Sequence, residues 1–511
     1  MMKTGLLVAY FALLLWIGFR CRHRANSVDG FVLGGRSVGA WLTAFAYGTS
    51  YFSAVVFVGY AGQFGWKYGI AATWAGIGNA LVGSLLAWTV LGRRTRLLTQ
   101  HLDASTMPEF FGRRFGSRAL KVVASMIIFV FLVPYTASLY NGLSRLFGMA
   151  FSIDYSVCIV LMSALTAVYV IAGGYLATAV NDFIQGIIML VGLVAVISAV
   201  IMSKGGFAAA LDGLSRVSDP AVSTSPGVFA SFFGPDPLNL LFVVILTSLG
   251  TWGLPQMVQK FYAISNEDAI RKGTVISTLF AFVVAGGCYF LGGFGRLFSD
   301  RVDVASQGFD AIVPAMLSGL GPGLLALTVV LVLSASMSTL SSLVITSSST
   351  LTSDFIKEAC GGRMSPKREV GLIRAFVVLF IVISAALALV QYKSSVTFIA
   401  QLMGISWGAL AGSFLAPFLY SLYWKGTTKA ACWASFAVGS GLMVCNMLFR
   451  AALPAVLRSP INCGAVAMLV GFVVVPVVSL LSRAPDRRFV DRLFTCYDRP
   501  RQVPAKTALG D

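Results

Sequence analysis

Charge is what this chain has least of. Acidic and basic residues together are 11% of its 511 residues, where a soluble domain carries about a quarter. Histidine is nearly missing, with only His23 and His101. The eight cysteines form no C-x-x-C pair and no Cys/His cluster, so a zinc site has no ligands to draw on. No G-x-S-x-G, H-E-x-x-H or G-x-x-x-x-G-K-[S/T] stretch occurs, and no enzyme activity is expected. Without a nucleotide site, any transport has to run on an ion gradient or be passive. No polar stretch much exceeds about 30 residues, which leaves no room for a large soluble domain.

What fills the chain is apolar residues, 57% of the total. They place it among all-α polytopic membrane proteins. The net charge of +18 does not point to nucleic acid. The basic residues sit in short clusters between apolar runs, as cytoplasmic loops require. The first apolar run, 6–19, is followed rather than preceded by Arg20, Arg22 and Arg24, and no small-residue cleavage site follows. It reads as a retained helix, not a signal peptide.

Thirteen segments are apolar and long enough to span the hydrocarbon layer: 4–20, 38–61, 69–92, 119–145, 154–172, 179–203, 236–262, 273–296, 320–352, 371–391, 398–424, 428–449 and 462–482. Continuous apolar segments of this kind must be helices, because lipid cannot satisfy an open sheet edge. With the N-terminus outside, the inner loops are 20–36, 93–121, 260–272, 357–374, 425–429 and 483–506. They hold 28 of the 38 Lys and Arg residues. That bias gives a multi-pass protein of the plasma (cell) membrane with its C-terminus in the cytoplasm.

Setting aside the first helix (4–20) and the last two (428–482) leaves two sets of five, 38–203 and 236–424. An odd number per set inverts the second in the membrane. The whole, 1–511, is then a single transporter domain with a cytoplasmic tail at 483–511. Inverted repeats of this kind bind substrate and ions near the midplane, where the first helix of each repeat is broken. Break signals stand at both places. "AYGTSYFSAVVFVGYAG" carries Gly48, and "TSLGTWGLPQMVQKF" carries Gly250, Gly253 and Pro255. The alternative is ordinary kinking of membrane helices.

Two features carry chemistry. In the stretch 333–354, "LSASMSTLSSLVITSSSTLTSD", 13 of 22 residues are Ser or Thr. Ala335, Ser338, Thr339 and Ser342 share one helical face, with Ser341 beside it. Hydroxyls and freed carbonyls suit a hard cation without a buried countercharge. Ser347–Ser349 and Thr352 are expected to bond back to their own helix. The second feature is Asp182, an acid at membrane depth and so a functional candidate. A helix N-cap is the alternative reading.

These pieces resemble the sodium:solute symporter family. The matching stretches are "FVLGGRSVGAWLTAFAYGTSYFSA", "TMPEFFGRRF", "VIAGGYLATAVNDFIQG", "SASMSTLSSLVITSSSTLTSD" and "PFLYSLYWKGTTKAA", in family order up to about residue 430. The resemblance implies a LeuT-type fold and coupling to Na+. It implies a first sodium site made of the Thr49, Phe52 and Ala335 carbonyls and the Ser338 and Thr339 hydroxyls. A second sodium would use Asp182, Ser338, Ser341 and Ser342.

The sequence departs from the family's proline permeases at two places. Tyr51 stands where they have Asp, and Thr251 where they have an aromatic. "TSYFSA" and "GLPQ" resemble the pantothenate and monocarboxylate branch instead. The expected solute is a small organic anion or amino acid, with Ser50, Tyr51, Ser53, Tyr135, Thr251, Trp252 and Trp407 as candidate pocket residues. For the aromatics among them, helix packing is the alternative. Alternatives for function are a sodium/proline symporter, a proton-coupled or uncoupled carrier of the same fold, and a sensor. For the sensor, the roughly 28 residues after the last apolar segment leave no space for a signalling module. The expected partners are sodium, the solute and the bilayer, with no nucleic acid and no protein partner.

Overall fold

The computed structural model describes residues 2–151, 154–394 and 399–498. Helix follows helix along the chain: α1 (Met2–Cys21), α2 (Ala40–Tyr51), the helical run α3 (Val55–His101), α4 (Arg118–Phe151) and α5 (Tyr155–Met202). Then come α6 (Pro237–Val244), α7 (Pro255–Ala263), α8 (Glu267–Gly292), α9 (Pro322–Ala359), α10 (Pro366–Ser394), α11 (Ile399–Tyr423), α12 (Lys429–Leu448) and α13 (Pro460–Leu481). Among the described residues the only strand-like pairings are isolated bridges such as Val38 to Ile264.

Ten helices among the described residues are long and apolar enough to cross a membrane. Thirteen separate crossings are therefore not established. The expected segments 154–172 and 179–203 are continuous in α5, with one departure from helical angles at Gly174 (φ 56, ψ −153). That conformation is open to glycine and strained for other residues. The segments expected at 38–61 and 236–262 are each divided, α2 from α3 and α6 from α7.

The core is centred on α9. Every residue from Thr328 to Thr350 is buried, and α9 packs against α4, α5 and α10. The outer helices show the opposite pattern. Val191 and Val194 on α5, Val382 and Val390 on α10 and Val473 and Leu480 on α13 are exposed, as suits a surface turned to lipid. A helix buried all round that is rich in hydroxyls must spend them internally, and that requirement shapes the site.

Candidate functional site

The first break leaves two carbonyls without helical partners. The backbone turns extended at Phe52 (φ −91, ψ 113), and helix restarts when Val56 and Phe57 donate to the Ser53 carbonyl. The Thr49 and Phe52 carbonyls point instead at α9. Thr339 Oγ1 donates toward Thr49 O at 3.0 Å, Phe52 O at 3.3 Å and Ala335 O at 3.1 Å. Ser338 Oγ lies 3.2 Å from Thr49 O, 3.1 Å from Ala335 O and 2.9 Å from Ser334 O. All five residues of the expected first sodium set are thus brought together, and all are buried.

These five groups are neutral, hard oxygens. For oxygens at right angles about 2.3–2.6 Å from a hard cation, neighbouring oxygens lie about 3.3–3.7 Å apart. The observed edges of 3.0–3.3 Å are just short of that range. Each hydroxyl now offers its hydrogen to a carbonyl, and a cation would instead take its lone pair. The donor set fits Na+ with a small outward shift.

Gly48, expected to mark the first break, does not. It lies inside α2, where an added Cβ would come 2.4 Å from the Phe280 ring. It is small because α8 packs close, and the chain leaves the helix four residues later. The second break matches expectation more closely. The helix tightens over Gly250–Trp252 and turns extended at Leu254 (φ −80, ψ 120), and Pro255 opens α7. A Cβ on Gly253 would sit 2.8 Å from the Ala411 Cα, so glycine lets α11 approach the break.

One turn further along α9 the environment changes. Ser342 Oγ is 2.8 Å from Ser50 Oγ and 3.0 Å from Lys260 Nζ, which donates to it. Ser341 donates to the Ser338 carbonyl at 2.9 Å. Asp182 is fully buried, and neither carboxylate oxygen has a hydrogen-bond partner. It lies just over two turns after Gly174, inside the helix, and caps nothing, so the N-cap reading fails. No hydrogen bond joins Asp182 to Ser338, Ser341 or Ser342, so this expected set is not gathered as the first one is. Lys260 acts on Asp182 through its charge, and Asp182 in turn acts on the buried Tyr10, Tyr169 and Tyr175.

Lys260 was expected in an inner loop. It is instead a buried residue of α7, 2% exposed. The signal was available, since "LPQMVQKFYA" places one Lys inside an apolar segment. Its neighbour Gln259 was also missed, and it ties α7 to α9 by accepting from Thr346 Oγ1 at 2.7 Å. Asp182 is not alone as a buried acid. Asp354 near the end of α9 is buried too, accepting from Thr106 Oγ1 at 2.6 Å with Lys121 Nζ at 3.6 Å.

Among the candidate pocket residues, Tyr135 and Trp407 stand edge to face with ring centroids 6.0 Å apart. The Tyr135 hydroxyl lies near Ser53 and Trp407, yet neither it nor Trp407 Nε1 has a hydrogen-bond partner. Ser50 donates to the Ala46 carbonyl. Thr251 Oγ1 lies 2.9 Å from the Ser248 carbonyl and 3.1 Å from the Gly83 carbonyl, and Trp252 Nε1 donates to the Val82 carbonyl at 2.9 Å. These two hold the second break to α3. The side chain of Tyr51 lies outside the described residues.

The model of the sodium:solute symporter family matches residues 31–439. The sodium/proline symporter of Staphylococcus aureus is 28% identical over 460 residues, covering 86% of this chain and 85% of that one. Its counterpart from strain JH9 is 29% identical over 461 residues with the same coverage. Among solved structures, the substrate-bound outward-open state of a Na+-coupled sialic acid symporter superimposes with a TM-score of 0.74 at 16% identity. It covers 95% of this chain and 99% of that one. A manganese transporter from Eremococcus coleocola gives 0.51 at 14% identity, over 89% of this chain and 95% of that one. The fold is the LeuT type.

Proposed function

The chain belongs to the sodium:solute symporter family, a family of transporters and not of enzymes, and from that premise we propose that it imports a small organic solute together with Na+ by alternating access. The observation that carries this reading is the convergence of Ser338 and Thr339 on the Thr49, Phe52 and Ala335 carbonyls. An ion bound there ties the break after α2 to α9. Solute held by the same broken helix gains affinity when the break is ordered, and by reciprocity the solute favours the ion.

The solute is a carboxylate of the pantothenate or monocarboxylate kind, or an amino acid. Unpaired donors on Tyr135 and Trp407 beside Ser53 support a polar, hydrogen-bonding solute. The named relatives favour proline as a second reading, while Tyr51 and Thr251 weigh against it. The two sets 38–203 and 236–424 act as inverted repeats, a reading supported by their matched breaks. The protein sits in the plasma membrane with its N-terminus outside and its C-terminus inside.

Uptake into proteoliposomes tests this, with a panel of labelled carboxylates and amino acids and with or without an inward sodium gradient. The expected result is accumulation of one class, dependent on the gradient. Uptake of the same solute at an equal rate without sodium would overturn the coupling.

A further inference from the structure

Asp182 and Lys260 are two opposite charges, both buried, that make no ion pair with each other. Lys260 Nζ donates to Ser342 Oγ at 3.0 Å and lies 4.9 Å from the centre of the Tyr175 ring. The Asp182 carboxylate accepts no hydrogen bond. A buried charge without an opposite charge nearby is too costly to keep, so each explains the other's presence. They reach the same region from different elements, Asp182 from α5 and Lys260 from α7.

Ser342 shows what Lys260 displaces. Ser50 spends its hydrogen on the Ala46 carbonyl, so it accepts from Ser342, which in turn accepts from the lysine. The hydroxyl that a second sodium near Asp182 would need is therefore held by an ammonium. Two unit cations sharing one buried hydroxyl repel strongly in a medium that screens them poorly. The ammonium is also tethered to α7, directly after the second break, and cannot leave with the solute.

We propose that Lys260 is a built-in cation standing in for a second sodium beside Ser342 and Asp182, so that the chain binds one exchangeable sodium ion. The inference rests on the proposed sodium coupling and adds the ion count. It assigns Lys260 a positioning role as well, since its bond to Ser342, which bonds in turn to Ser50, links α7, α9 and α2.

Equilibrium binding of 22Na+ to the purified full chain in lipid nanodiscs tests it without knowledge of the solute. The expected count is one ion per chain for the wild type, two for Lys260→Gln, and one again for Lys260→Gln with Asp182→Asn. Two ions on the wild type, or one on a monodisperse Lys260→Gln variant, would overturn the proposal. If Lys260→Gln does not yield monodisperse protein, Asp182→Asn alone decides. One ion with and without that change supports the proposal, and a fall from two to one overturns it. No binding to the wild type and none to Thr339→Ala would overturn the proposed function itself.

Discussion

Ser338 and Thr339 lie one turn before Ser342 on α9, and the two neighbourhoods treat a cation differently. Around Thr339 every group is a neutral oxygen, and the five already lie at nearly the spacing an ion imposes. Around Ser342 the neutral Ser50 hydroxyl is joined by the Lys260 ammonium, and the cation belongs to the protein. Neutral oxygens can bind an ion and release it, because the emptied cage closes on its own hydrogen bonds. A lysine fixed to α7 occupies the Ser342 hydroxyl and cannot leave as an ion does. The difference separates an exchangeable position from a fixed one.

The comparison breaks most readily at Thr339. Thr339→Ala removes an oxygen that touches three carbonyls. A lost bond to a charged partner is worth about 1.5–3 kcal/mol, or about a tenfold to hundredfold rise in half-saturating sodium. Sodium titration of uptake measures it, and an unchanged midpoint would remove Thr339 from the site. A smaller effect is expected from Tyr135→Phe. Losing one hydrogen bond of about 1 kcal/mol raises the half-saturating solute concentration roughly fivefold. The sodium midpoint at saturating solute stays in place, and movement of the sodium midpoint alone would count against a solute role for Tyr135.

The smallest effect sharpens the contrast along α9. Ser349 donates to the Thr346 carbonyl at 3.2 Å, and that carbonyl keeps Thr350 as a donor at 2.9 Å after Ser349→Ala. Thermal unfolding is expected to shift by less than about 1 kcal/mol, with no change in sodium dependence. A sodium midpoint moved by Ser349→Ala would mean that hydroxyls along the whole helix, and not one face, set ion affinity.

The helical, membrane-spanning character was open in the sequence, because apolar runs of this length allow nothing else. The face carrying Ser338 and Thr339 was also readable, since 3.6-residue spacing and the family motif agree. Of the back-bonding expected of Ser347–Ser349 and Thr352, that of Ser348, Ser349 and Thr352 is present, at 2.6, 3.2 and 2.8 Å, while the buried Ser347 Oγ has no hydrogen-bond partner. The exact place of the first break was not readable. Gly48 is as good a break signal as any, but its use depends on Phe280, which lies 232 positions away in sequence. Lys260 was misjudged for a related reason. Counting charges near segment ends assigns a lysine to a loop, whereas the second break turns α7 back into the core. Which of two nearby oxygens a buried cation touches is set by tertiary contact, and no spacing rule encodes that.

The most direct measurement is a high-resolution structure of the protein in sodium and in choline. The account predicts, in sodium only, a density peak about 2.3–2.6 Å from the Thr49, Phe52 and Ala335 carbonyls and the Ser338 and Thr339 hydroxyls, with Lys260 still bonded to Ser342. A sodium-dependent peak between Asp182 and Ser342, with those five oxygens unchanged, would contradict it.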